Sequence, residues 1–209
     1  MADWRSWHAD YEDPSSLLSE RLRLVQRHIG DWLDATAPGP VTVLSSCAGD
    51  GRDLLGVLAG RSDADRVSAT LIEADPRNAA RASDHVRRAR LSGIQVRCTD
   101  AGTSDAYLGA VPADLVLLCG VFGNIADDDV RRTIAATPQL CHRDAVVIWT
   151  RHRRDPDLTP QVRTWFGEHG FHEELFAAPE HAIYSVGVHR FVGTRMPLAP
   201  GQHLFTFVR

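Results

Sequence analysis

Val41-Thr-Val-Leu-Ser-Ser-Cys-Ala-Gly-Asp-Gly-Arg-Asp-Leu-Leu55 is a short β-branched strand that breaks into a glycine-containing turn and then re-enters a helix. Gly49 and Gly51 let the backbone approach a ligand closely, because neither residue has a Cβ atom. The helix predicted from about Arg52 adds backbone N–H groups that have no partner within the helix. This order of elements is typical of a cradle for a nucleotide-type cofactor.

Three further strands follow this turn, and small or acidic residues stand at their ends. The strand Ala69–Ala74 places Glu73 about twenty residues after the turn, where an acid binds ribose hydroxyls in such folds. The next two strands are Ile94–Cys98, followed by Asp100 and Ala101, and Asp114–Cys119, followed by Gly120 to Asn124. Since ligands in open α/β sheets bind outside the carboxyl ends of the strands, we expect the four loops to meet at one crevice.

With these motifs in this order, the segment from Val41 to Arg151 resembles the class I S-adenosylmethionine-dependent methyltransferases. The resemblance implies that the glycine loop lies against the methionine part of the cofactor, that Glu73 binds the ribose and that Asp100 contacts the adenine. The other cofactor-binding residues that we assign with it are Cys47, Ala48, Gly49, Gly51, Ala74, Ala101, Cys119, Gly120 and Phe122, together with Tyr11 from the N-terminal segment.

The chain departs from the family pattern at two positions of the first loop. Cys47 stands where the family has the first glycine of its Gly-x-Gly-x-Gly motif. Ser45 stands where many members carry an acid that braces the amino group of the methionine part. The resemblance therefore implies that this contact is weaker here or comes from another residue.

Strand and helix patterns alternate along the chain, which predicts a doubly wound, mostly parallel sheet with helices on both faces. Apolar residues recur at helical spacing from Leu18 to Leu33, and further helices are predicted to begin at Asp75-Pro76, Asp127 and Thr159-Pro160. The tail reads as strands at Phe171–Phe176 and His203–Val208, and the resemblance implies seven strands with a reversed last one. We expect a single domain over 1–209, with an N-terminal helical lid at 1–36, a cofactor-binding core at 41–151 and the rest of the sheet at 152–209.

Composition limits the classes of partner and compartment. The net charge of -4 and the pI near 6.2 disfavour a nucleic-acid substrate, which would require clustered Lys and Arg. Cys47, Cys98, Cys119 and Cys141 lack Cys-x-x-Cys spacing, so we expect no metal site and buried free thiols in a reducing, cytoplasmic compartment. No stretch approaches the roughly 20 apolar residues that span a bilayer, so no membrane contact is expected.

Acceptor-binding residues are expected on the elements that cover the crevice. The N-terminal residues Trp4, Trp7, His8 and Tyr11 either form a lid over the cofactor or pack the first helix onto the sheet. The candidate general bases are His152 and His8, with His181 and His189 behind them, and an amine acceptor would need none. The run Arg151–Arg154 either binds a substrate anion or is a solvated loop, and Asn124 either orients a ligand or is a turn residue.

The sequence thus favours a methyltransferase that moves the methyl group of S-adenosylmethionine to a small-molecule acceptor and releases S-adenosylhomocysteine. Oxygen, nitrogen, carbon and sulfur acceptors are all compatible with such a scaffold. One alternative is an inactive, methyltransferase-like binding subunit, which the changes at Ser45 and Cys47 would fit. The other is an NAD(P)-binding oxidoreductase, although that class would require a third glycine where Leu54 stands.

Overall fold

A seven-stranded mixed sheet is the centre of the protein in a computed structural model that describes residues 13–208. The strands follow the order β3-β2-β1-β4-β5-β7-β6 across the sheet, and β7 runs antiparallel to both of its neighbours. Their bounds are Val41–Ser46 (β1), Val67–Glu73 (β2), Ile94–Cys98 (β3), Ala113–Leu118 (β4), Cys141–His152 (β5), Phe171–Ala177 (β6) and Tyr184–Phe191 (β7). The order reverses between β1 and β4, which is the position where such sheets bind ligands.

Five α-helices cover the two faces of the sheet within residues 13–208. They are Leu17–Ala35 (α1), Arg52–Leu58 (α2), Pro76–Ala89 (α3), Asp127–Ala136 (α4) and Thr159–Glu168 (α5). Buried side chains of α1, α2 and α3 share one hydrophobic core with the sheet, and those of α4 and α5 share the other. The expected fold class, a doubly wound α/β sheet with a reversed last strand, is confirmed.

Local sequence signals place the helix starts. Ser16 caps α1 by accepting a hydrogen bond from the backbone N–H of Ser19, and Asp75 caps α3 by accepting one from that of Arg77. Pro76 occupies the first turn of α3, where its missing N–H leaves no hydrogen bond unmade. The cap of α3 agrees with the helix start predicted at Asp75-Pro76.

The prediction of a last strand at His203–Val208 was wrong. The reversed strand is Tyr184–Phe191, and the 203–208 segment makes only the isolated bridges Thr103↔His203 and Ile125↔Phe207. Leu204 and Phe205 are both buried although they are consecutive, so the segment cannot alternate as a strand on one face would. It crosses the loops after β3 and β4 instead, held by hydrogen bonds such as Leu204 N–H to Gly102 O at 2.8 Å.

No helix within residues 13–208 is both long enough and apolar enough to cross a membrane. Cys98 is exposed because it lies on β3, the strand at one edge of the sheet, whereas we expected a buried thiol. All four cysteines are free.

Candidate cofactor site

A cavity of about 290 Å³ opens at the carboxyl ends of β1, β2 and β4. The loop after each of these strands contributes to its wall, and so do the first turn of α2, one side of α1, and Phe207 in the C-terminal segment. The predicted cofactor residues that line it are Cys47, Ala48, Gly49, Glu73, Ala74, Cys119 and Gly120. Three of the four predicted loop tips therefore meet around one cavity, as the topology requires.

The two glycines of the first loop have different structural roles. Both have left-handed backbone angles, with φ of 59° at Gly49 and 75° at Gly51. A Cβ atom on Gly49 would meet no heavy atom within 4 Å, whereas one on Gly51 would lie 2.7 Å from the methyl carbons of Leu55 and Leu71. Gly49 thus presents bare backbone at the cavity, and Gly51 allows the turn to pack onto the core.

Cys47 also has a left-handed backbone, with φ of 55°, at the position where the family has a glycine. Its side chain lines the cavity. Burial raises the pKa of its thiol to about 12, and the negative charges of Glu73 and Asp100 add to that shift. The Tyr107 hydroxyl lies 2.9 Å from Ser46 Oγ and donates to Ala101 O at 2.7 Å, which places the loop after β3 close to the cradle.

Glu73 ties two loops together. Its Oε2 accepts the backbone N–H of Gly49 and its Oε1 that of Asp75, both at 2.8 Å. The residue is only 9% exposed, yet it borders the cavity. Each carboxylate oxygen keeps lone-pair capacity beyond one hydrogen bond, so the carboxylate can still accept hydroxyl groups of a ligand.

The remaining predicted cofactor residues lie elsewhere. Asp100 is exposed and accepts the N–H of Gly102 at 2.8 Å, while Ala101 is buried. Phe122 is fully buried and packs against Trp149 and Phe166. None of these three, nor Gly51, lines the cavity. Trp4, Trp7, His8 and Tyr11 lie outside the described residues.

The loop after β4 is fixed by β5. Gly120, with φ of 78°, donates its backbone N–H to Thr150 Oγ1 at 2.9 Å, and both residues line the cavity. Asn124 donates its side-chain amide to Gly120 O at 2.7 Å and accepts the N–H of Val208. Asn124 is therefore a turn residue that also anchors the C-terminal segment, which agrees with the second of its two interpretations.

Asp53 is a cavity residue that sequence reasoning missed. It lies in the first turn of α2 and accepts the backbone N–H of Leu54 at 2.8 Å. The pKa of Asp53 is raised to about 6, because burial and the charge of Asp50 outweigh the lowering effects of the Leu54 hydrogen bond and of the positive charge of Arg21 on α1. Arg21 lines the same cavity because Gln26 of α1 holds that helix against α2 through a hydrogen bond to Arg52 O. The only available signal was an acid two residues after the second glycine.

The histidine candidates are dispersed. His152, at the end of β5, accepts the N–H of Arg154 at 3.3 Å and does not line the cavity. A Cβ atom added at Gly123 would lie 3.3 Å from its ring. His181 lies 2.9 Å from Glu20 on the surface. His189 is buried beside Trp149, where desolvation lowers its pKa to about 4, so it is neutral at pH 7. Its Nε2 is 3.6 Å from Glu173, too far for a hydrogen bond.

The basic run after β5 is largely structural. Arg151 is buried, with hydrogen bonds to Phe122 O and Asp127, and Arg153 donates to the carbonyl groups of Pro179 and Ala182. Neither arginine lines the cavity. The sequence left two interpretations open for this run, an anion site and a solvated loop. Neither describes Arg151 or Arg153, whose hydrogen bonds hold neighbouring segments of the chain in place.

No protein-family model matches the sequence, and no curated protein sequence matches it either. Solved structures do match. The magnesium protoporphyrin IX methyltransferase of Synechocystis PCC 6803, with bound S-adenosylmethionine, aligns with a TM-score of 0.67 and 12% identity over 91% of this chain and 91% of that one. An O-methyltransferase family protein from Burkholderia thailandensis gives a TM-score of 0.62 and 14% identity, over 87% of this chain and 58% of that one.

A third match is the precorrin-6y C5,15-methyltransferase of Geobacter metallireducens GS-15, with a TM-score of 0.58 and 10% identity over 82% of this chain and 88% of that one. At sequence identities of 10% to 14%, these matches show the fold alone. TM-scores of 0.58 to 0.67 over 82% to 91% of this chain show that the fold is shared. The chain therefore has the fold of the class I S-adenosylmethionine-dependent methyltransferases.

Proposed function

We propose that this chain binds S-adenosylmethionine and transfers its methyl group to a small-molecule acceptor, releasing S-adenosylhomocysteine. The observation that carries the proposal is the fixed position of the Glu73 carboxylate on Gly49 N–H at the wall of the cavity. A buried acid at the end of β2, beside bare glycine backbone at the end of β1, suits a ligand with a ribose. The neighbour from Synechocystis, which was solved with that cofactor, supports the same proposal.

The cavity residues would hold the cofactor in distinct ways. Glu73 would accept its ribose hydroxyls, Gly49 would let the backbone approach it, and Gly120 would border it from β4. Asp100, Ala101 and Phe122 stay predicted contacts, as does Tyr11. Gly51 supports the loop from behind through its packing on Leu55 and Leu71.

When bound, the cofactor supplies an electrophilic methyl group on a sulfonium. The residues of the chain would align an acceptor and exclude water from it. Phe207 and the α1 residues Leu22 and Val25 give the cavity an apolar side, which supports a small organic acceptor. His152 stays our candidate general base for a hydroxyl acceptor, since it ends β5 two residues after Thr150, which lines the cavity.

The four free cysteines support a reducing compartment, and we place the protein in the cytoplasm on that basis. The acidic balance supports a partner other than nucleic acid.

Calorimetric titration with S-adenosylmethionine, S-adenosylhomocysteine and NAD tests the proposal. We expect heat from the two adenosyl sulfur compounds and none from NAD. Heat from NAD alone would assign the chain to the oxidoreductases, and no heat from any of the three would favour a binding subunit. Release of S-adenosylhomocysteine in the presence of candidate acceptors then tests turnover.

A further inference from the structure

We propose that Asp53 binds the ammonium group at the amino-acid end of the cofactor. This inference rests on the proposed function and assigns a role to a residue outside the family's motif positions. The cofactor carries an ammonium group and a carboxylate group at the end opposite its adenine. A carboxylate of the protein that lies apart from Glu73 can pair with that ammonium group. Asp53 supplies one in the wall of the same cavity.

Ser45 does not provide this contact. It stands where many family members carry an acid, but it is 1% exposed and does not line the cavity. The first residue after β1 that lines the cavity is Cys47. A substitute must come from another element that reaches the cavity. The first turn of α2 does so, since Arg52 and Asp53 both line it.

Four acids line the cavity, and three of them are already engaged. Asp50 forms an ion pair with Arg52, Asp75 forms one with Arg77, and Glu73 binds two backbone N–H groups. Asp53 makes no ion pair within residues 13–208, and its one hydrogen bond in that part of the chain is that from Leu54 N–H. A half-buried carboxylate that forms no ion pair is stabilised by a ligand cation.

The surroundings of Asp53 select an amino-acid group over a metal ion. Arg21 lies in the same cavity, and its charge acts on Asp53. A carboxylate beside a guanidinium complements a zwitterion, whereas a divalent cation needs several oxygen ligands and is repelled by the arginine. Within residues 13–208, no group of three His, Cys, Asp or Glu side chains is arranged for a metal. Cys119, at the end of β4, lines the same cavity as Asp53.

Calorimetry with two ligands tests the proposal. S-adenosylhomocysteine carries the amino-acid end, and 5′-methylthioadenosine lacks it while keeping the ribose and adenine. We expect Asp53→Asn to weaken S-adenosylhomocysteine binding by about tenfold or more, the effect of losing a charge-assisted hydrogen bond. Binding of 5′-methylthioadenosine should stay within about twofold of the wild type, since the lost contact involves only the amino-acid end.

Asparagine keeps an oxygen that can accept the Leu54 N–H, and thermal unfolding checks that the variant folds. Asp84→Asn is the matched control, because Asp84 is an exposed acid on α3 that pairs with Arg87 outside the cavity. It should change neither affinity. Unchanged S-adenosylhomocysteine binding by Asp53→Asn, or equal weakening of both ligands, would overturn this inference alone. A wild-type protein that binds neither ligand would overturn the proposed function and this inference with it.

Discussion

The Glu73 carboxylate and the Gly49 backbone N–H are joined by a hydrogen bond of 2.8 Å, which links the end of β2 to the loop after β1. The second oxygen of the same carboxylate binds Asp75 N–H, at the start of α3. The acid that we propose for ribose binding is therefore also part of the structure of the cradle. A change at Glu73 is expected to affect stability and binding together.

Glu73→Ala should lower the free energy of unfolding by about 1–3 kcal/mol, because it leaves two backbone donors without their acceptor. It should also weaken S-adenosylhomocysteine binding by about 1.5–3 kcal/mol through loss of the charged acceptor. Urea unfolding and calorimetry measure the two effects. Glu73→Gln retains one carbonyl oxygen and should recover part of the stability. If Glu73→Ala changed neither quantity, the hydrogen bonds of Glu73 would be unimportant and its ribose contact would be excluded.

Alanine at Gly49 and at Gly51 should act on different properties. Both substitutions place a side chain on a left-handed backbone, which costs about 1–2 kcal/mol. Gly51→Ala should destabilise further, because its Cβ would displace two buried leucines. Gly49→Ala has room for its Cβ and should mainly reduce cofactor affinity. Thermal unfolding and calorimetry on both variants compare the two losses, and a Gly49 variant with normal affinity would argue against close approach of a ligand there.

Cys47→Gly should be nearly neutral for stability. Glycine relieves the left-handed strain at this position, but it loses the packing of the thiol and adds freedom to the unfolded chain, effects of about 1 kcal/mol each. Cys47→Val should instead lower the free energy of unfolding by more than about 1 kcal/mol, since a β-branched residue is poorly suited to this backbone. Denaturant titration distinguishes the two. A valine variant as stable as the glycine variant would contradict the backbone angle of Cys47.

Asp53→Asn should stabilise the ligand-free protein at neutral pH. The pKa of Asp53 is raised to about 6 in the folded state, so the folded protein holds this proton more tightly than the unfolded chain does. The carboxylate therefore lowers stability progressively as the pH rises from about 4 through about 6. We expect the variant to be more stable than the wild type by about 1–3 kcal/mol at pH 7, and by less than about 0.5 kcal/mol near pH 4.

Thermal unfolding across this pH range measures the effect, and Asp84→Asn controls for the removal of one negative charge. The charged groups that act on Asp53 are Asp50 and Arg21, and neither is altered. A variant less stable than the wild type at pH 7 would mean that the Asp53 carboxylate is compensated within the protein.

Features encoded by neighbouring residues were predictable from the sequence. The strand, turn and helix from Val41 to Leu55 are specified by β-branched residues followed by two glycines, and Asp75-Pro76 marks a helix start through its own capping chemistry. The positions of Gly49 and Glu73 at one cavity follow from the parallel topology. The spacing of about twenty residues between the glycine turn and Glu73 also agrees with the pattern of the methyltransferase family that the sequence resembles.

Features that depend on distant packing were not predictable in this way. Strand β7 contains Ser185, Gly187 and His189, which weaken any hydrophobic pattern, and Gly187 is required because the Trp149 ring lies 2.2 Å from where its Cβ would be. The C-terminal segment was mistaken for a strand because its apolar residues contact loops rather than a neighbouring strand. Arg21 of α1 lines the cavity beside Asp53 through the packing of α1 on α2, a contact between residues far apart in the chain.

Cys47 and Cys119 lie in the cavity wall, where a bound methyl sulfonium could react with a thiol. A thiolate next to a methyl sulfonium would attack it, and the enzyme would alkylate itself. Burial raises the pKa of Cys47 to about 12 and also raises the pKa of Cys119, so both thiols are protonated at pH 7. If the chain binds S-adenosylmethionine as we propose, protonation protects these two cysteines from methylation by the cofactor.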